Sequence, residues 1–283
     1  GIPKKEYISI NKVMSLVKSL VPFFLLAFIV QIYLNIDRVI LETKGYTFEL
    51  GIYSQITKTV NTFLAPITAI GQILMPYVSN LNSNERKGEV ITTIKTSAGF
   101  IILIGLPICF GLLTISNDFV EVYYGNAFRE YTGLFKLSCF LIISGALSNI
   151  VIQQIVLPSL QEMVYLKALT IASLIRSVVL LILISQLGIS AAIIAYLIGE
   201  AFLLFWCSYK TRKIVNIIPI ILNLENLKVS LSALLMYLAI SVLDISMVFK
   251  TIFGILLYLF ILIVMKEERI ILLYKKYLAK RIL

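Results

Sequence analysis

Lys58 stands inside YSQITKTVNTF (Tyr53–Phe63), and apolar sequence continues beyond it as far as Pro76. In a helix, positions at offsets of 4, 7, 11, 14 and 18 fall within about 40° of one another. Counted from Ser54, those offsets give Lys58, Asn61, Ala65, Thr68 and Gln72, a continuous stripe of polar and small residues. Ile56, Val60, Phe63, Leu64, Ile67 and Ile70 supply most of the remaining surface. A charge inside an apolar span costs about 2.5–3.5 kcal/mol on insertion scales, and packing does not require a lysine. The stripe is therefore expected to form one wall of a wet cavity, in which a fixed cation attracts an anion. Close helix packing with interhelical hydrogen bonds is the alternative.

Other charges have the same character. In QIYLNIDRVIL, Gln31, Asn35 and Arg38 share a face at spacings of four and three, with Asp37 turned about 100° away. Arg38 is expected either to join Lys58 in one basic patch or to sit at the outer membrane interface. Arg176 lies twelve residues before Gly188 and Glu200 twelve after it. A turn near Gly188 brings both to a depth of about 18 Å at 1.5 Å per residue, each the other's obvious partner. The pair is either structural or one that breaks when the acid takes up a proton or an anion competes for Arg176. Ser138, Gly145 and Asn149, followed by Gln153 and Gln154, suit another cavity wall or a packing face.

These residues need long helices to position them. The chain has 283 residues, is 59% hydrophobic and only 14% charged, and has a mean hydropathy of +0.96, far from the usual soluble balance of about 25% charged residues. Apolar runs long enough for a bilayer core about 30 Å thick fall at roughly 14–40, 51–79, 94–116, 132–157, 165–186, 189–208, 231–249 and 251–266. The expected fold class is all-α, a polytopic transmembrane bundle of about eight helices. Pro22, Pro66 and Pro107 fall inside spans, where they favour bending.

The formal charge of +10 would suggest nucleic acid in a soluble domain, but the basic residues sit mostly between the apolar runs. One side collects Arg86, Lys87, Lys95, Lys167, Lys210, Arg212, Lys213 and Lys228 with the basic residues near both ends, while the other has little beyond Lys44, Arg129 and Lys250. The positive-inside rule then makes both ends cytoplasmic. The tail KEERIILLYKKYLAKRIL has the pattern of a basic amphipathic helix, at the membrane interface or packed on the bundle. Cys109, Cys139 and Cys207 have no ligand-like spacing and there is no histidine, so neither a metal site nor a cofactor is expected. No phosphate loop, HExxH motif or large extramembrane region offers reaction chemistry, so an enzyme is not expected.

NIDRVIL, ELGIYSQITK, ILMPYVSN, GLPICFGL, FVEVYYGNAF and LGISAAIIAYLIGE follow one another in an order that resembles the second half of the Wzx-type polysaccharide repeat-unit flippases of the MATE-like exporter superfamily. The resemblance covers about residues 10 to 210. It implies a bacterial inner-membrane transporter that moves an undecaprenyl-pyrophosphate-linked oligosaccharide to the outer leaflet by alternating access between two helical bundles. It divides the chain into a six-helix bundle (1–209), a cytoplasmic linker (210–230), an accessory helix pair (231–266) and the tail (267–283). A further six-helix half is expected ahead of Gly1. The resemblance places Lys58 where relatives carry cavity cations and makes Asp37 a candidate ligand for a coupling proton or sodium ion; the residues themselves add Arg38 and, by its depth alone, Arg176 as further attractors of the pyrophosphate, Ser54, Asn61 and Gln72 as their polar neighbours, and Glu200 as a second coupling candidate. Arg176 departs from the asparagine expected in many relatives. A drug or metabolite exporter of the same superfamily and a membrane-embedded glycan polymerase or glycosyltransferase are the competing functions.

Overall fold

The computed structural model describes residues 10–270. The helices are α1 (Ile10–Thr43), α2 (Thr47–Ser83), α3 (Lys87–Tyr124), α4 (Thr132–Val151), α5 (Glu162–Leu187), α6 (Ser190–Thr211), the four-residue α7 (Ile218–Ile221), α8 (Leu224–Ser241) and α9 (Met247–Val264). A short 3-10 helix (Asn126–Tyr131) leads into α4, and a π-helical turn (Ile152–Val156) prolongs it. Among the described residues seven helices are long and apolar enough to cross a membrane, namely α2 to α6, α8 and α9. This is an all-α polytopic bundle of a multi-pass membrane protein. Most of the basic tail lies outside the described residues.

Short turns join successive long helices. Gly45 and Gly188, at φ +82° and +53°, end α1 and α5 in the left-handed region, where a side chain would be strained. The predicted turn near Gly188 is thus where the chain reverses. α2 and α3 run for 37 and 38 residues, about 55 Å at 1.5 Å per residue, well beyond the bilayer core. Each therefore extends past the apolar stretch that marks it in the sequence. Pro66 and Pro76 lie within α2 and Pro107 within α3 without ending them.

α1 packs on α5 and α2, while α4 packs on α2, α3 and α6. The main core gathers Ile56, Ile67, Ile94, Phe135, Ile142, Ala172 and Ala192. A second cluster, with Ile102, Leu103, Val229, Met236, Tyr258 and Leu262, attaches α8 and α9 to α3. Lys250 of α9 pairs with Asp118 of α3 at 3.0 Å, and Tyr258 donates to the Leu103 carbonyl at 2.8 Å.

The seventh span differs from its predicted limits of 231–249. It begins at Leu224, inside the stretch expected to be linker, because the Asn223 side chain accepts from the Asn226 N–H at 2.8 Å and caps the helix. It ends at Ser241, and α9 starts at Met247, so the turn surrounds Asp244. Tyr258→Phe should lower the stability of the purified protein by about 0.5–1.5 kcal/mol, seen as a reduced thermal midpoint in detergent. An unchanged midpoint would contradict the docking of α9 on α3.

Candidate functional site

Asp37 and Arg38 are neighbours on α1, and their side chains diverge as the helical period requires. Asp37, 1% exposed, faces inward. Its Oδ2 accepts from the Tyr53 hydroxyl of α2 at 2.7 Å and from the Arg176 guanidinium of α5. Arg176 has no exposed surface. Its Nη1 donates to the Tyr33 carbonyl at 2.8 Å, and its guanidinium lies 4.5 Å from the Tyr33 ring centroid and 4.0 Å from that of Tyr196. One buried cation thereby ties α5 to α1 and α6, with α2 joined through Tyr53.

The expected Arg176–Glu200 ion pair does not form; Asp37 takes that place. The depth expectation holds, because a Cβ added at Gly199 would lie 2.5 Å from Arg176 Cγ. Glu200 is the next residue, turned about 100° from Gly199, which carries its carboxylate away from the guanidinium. There it accepts from the Tyr33 hydroxyl at 2.7 Å. The Tyr33 and Tyr196 rings meet edge to face, 6.4 Å apart.

Glu200 lines an inner cavity of about 230 Å³ shared by α1, α2, α4 and α6, with Asn61, Thr68, Asn149 and Gln153 among its other polar walls. Ser148 Oγ and Asn149 Oδ1, buried at its edge, have no protein hydrogen-bond partner among the described residues. A buried polar oxygen of this kind is satisfied by water, and the volume suffices for several molecules at about 30 Å³ each. The π-helical turn that follows Val151 sets Gln153 toward this cavity, while Gln154 accepts from Ser97 on α3.

A larger open groove of about 630 Å³ is lined by Arg38, Ser54, Gln55, Lys58, Asn61, Thr62 and Ala65. Four stripe positions of α2 thus face one space, and Arg38 reaches it from α1. Gln31, Asn35 and Arg38 form a ladder, with Arg38 Nη1 donating to Asn35 Oδ1 at 3.0 Å and Asn35 Nδ2 to the Gln31 carbonyl at 2.9 Å. Lys58 is exposed and makes no ion pair among the described residues. Asn61 lines both spaces. Gln72, the stripe's far end, is exposed and borders neither.

Sequence reasoning missed Tyr33, Tyr53 and Tyr196, which surround the buried pair. Their spacing carried a signal: Tyr33 and Asp37 are one turn apart, as are Tyr196 and Glu200.

Arg176 is packed along Gly199 with no room for a methyl group. Gly199→Ala should cost about 1–3 kcal/mol, measured as a lower thermal midpoint in detergent. A midpoint equal to that of the unaltered protein would contradict the position assigned to Arg176.

Residues 4–133 match the family described as Polysaccharide biosynthesis protein. No curated protein matches the chain. Among solved structures the fold is similar to "Lipid II flippase MurJ, inward closed conformation", with a TM-score of 0.69 at 17% identity. The likeness covers 92% of this chain and 56% of that one, so the chain spans little more than half of the flippase's length. The match to a polysaccharide-biosynthesis family over the first helices and the fold shared with that structure agree with the resemblance drawn from the sequence.

Proposed function

We propose that this chain is one bundle of a transporter that flips an undecaprenyl-pyrophosphate-linked oligosaccharide repeat unit from the cytoplasmic to the outer leaflet of a bacterial inner membrane. The observation that carries this reading is the groove in which Arg38 and Lys58 sit together among Ser54, Asn61 and Thr62. A diphosphate entering a region of low dielectric needs fixed cations that hold it, yet weakly enough for release. Two flexible cations in an open groove suit that task. Arg176 suits it less, since its charge is already engaged by Asp37 and enclosed by aromatic rings. Transport fits the wet, polar lining better than reaction chemistry does.

A second helical bundle, facing this one across the groove, is part of the proposal, as the coverage of the flippase's length supports. The helical alternation puts Arg86 and Lys87, Lys210 to Lys213, and Lys228 at one end of the bundle, which supports a cytoplasmic location for that end. For coupling to a proton or sodium ion, Glu200 is favoured over Asp37. Glu200 borders the inner cavity and has one protein hydrogen bond among the described residues, whereas Asp37 is held by Arg176 and Tyr53.

Lys58→Ala in the full-length protein should reduce polymer export at least tenfold at normal expression, with partial recovery in Lys58→Arg. Lys58 is exposed, so the purified variants should keep the parent's thermal midpoint. Undiminished export by Lys58→Ala would sink the assignment of the groove.

A further inference from the structure

A separate groove of about 570 Å³ runs between the beginning of α5 and the end of α6, away from both the charged groove and the inner cavity. Met163, Val164 and Ile171 supply apolar wall, Lys167 and Lys210 stand at it, and Trp206 closes one side. Both lysines are exposed, and neither has an ion-pair partner among the described residues. The Lys210 ammonium lies 5.1 Å over the Trp206 ring. Trp206 Nε1 is buried and has no hydrogen-bond acceptor among the described residues. Glu162 is the acid that begins α5 beside the groove. Beyond Lys210, Arg212 and Lys213 continue the positive charge, with Arg212 stacked 4.4 Å from the Tyr209 ring.

We infer that this groove binds an anionic phospholipid. The volume lies within the range of about 300–1,000 Å³ usual for ligand pockets. From Lys167 to Ile171 the α5 wall extends about 6 Å at 1.5 Å per residue toward the middle of the helix, room for the first carbons of an acyl chain, while Met163 and Val164 add apolar surface on the other side of Lys167. The cations sit near the helix ends, where a headgroup phosphate meets the bilayer surface, and Ile171 and Trp206 lie one turn further toward the middle of their helices. Two ammonium groups at one groove suit phosphate oxygen. Basic pockets of this kind between transmembrane helices hold anionic headgroups. A free phosphate would use the lysines and gain nothing from the apolar wall, which favours the lipid. The groove belongs to a different pair of helices from the substrate groove proposed above, so the two assignments stand or fall separately.

Trp206 is the sole tryptophan of the chain, so its fluorescence reports on this groove. The purified protein in detergent is titrated with phosphatidylglycerol and, separately, phosphatidylcholine, each carrying brominated acyl chains that quench indole. Phosphatidylglycerol should reach half-maximal quenching at a roughly tenfold lower mole fraction. Lys167→Gln with Lys210→Gln should shrink that preference to within about twofold, while quenching by phosphatidylcholine stays as before. Equal quenching by the two lipids, or a preference that survives loss of both lysines, overturns the inference. So does inorganic phosphate that reverses the phosphatidylglycerol quench at matched ionic strength, since the groove would then take a free anion.

Discussion

A buried arginine that has found its carboxylate organises this bundle. Leaving either member of a buried ion pair alone costs about 3–5 kcal/mol, so Arg176 and Asp37 hold each other's helices in register. The guanidinium also donates to the Tyr33 backbone and lies against two tyrosine rings, and such contacts contribute about 2 kcal/mol when desolvated. Tyr53 brings α2 onto the same carboxylate. With α2 fixed in rotation by Tyr53, the face about 100° round the helix from it, which carries Ser54, Lys58 and Asn61, is turned into the groove. The orientation of the exposed cation thus follows from the engagement of the buried one.

The same arrangement separates the acids by role. Asp37 is committed to the interior, while Glu200, one residue past the glycine that accommodates the arginine stem, turns toward the inner cavity. Tyr33 links the two environments, because its carbonyl accepts from Arg176 and its hydroxyl donates to Glu200. A change at Glu200 therefore acts on the helix that also carries Arg38. That connection runs through α1 alone and needs no contact between Glu200 and Arg176.

Much of this was legible from local periodicity. The face shared by Ser54, Lys58, Asn61 and Ala65, the face shared by Gln31, Asn35 and Arg38, and the reversal at Gly188 each depend on residues within a few turns of one another. The helix ends were less legible, because α2 and α3 outrun the apolar stretches that mark them, and because Asn223 begins α8 early through a single capping hydrogen bond. The partner of Arg176 was not legible at all. Depth along a hairpin gives height but not rotation, and α1 reaches α5 across 139 residues of sequence. Gln72 shows a related limit: it shares the helical face of Lys58, but the groove ends before reaching it.

Asp37 and Arg176 act as one unit on which the bundle depends. A double-mutant cycle on thermal and denaturant stability in detergent, using Asp37→Asn, Arg176→Gln and both together, tests it most directly. Each single change should cost several kcal/mol, and the double change should cost well below their sum, since it leaves no uncompensated charge buried. Costs that add within about 0.5 kcal/mol would mean that the two residues stabilise the bundle independently.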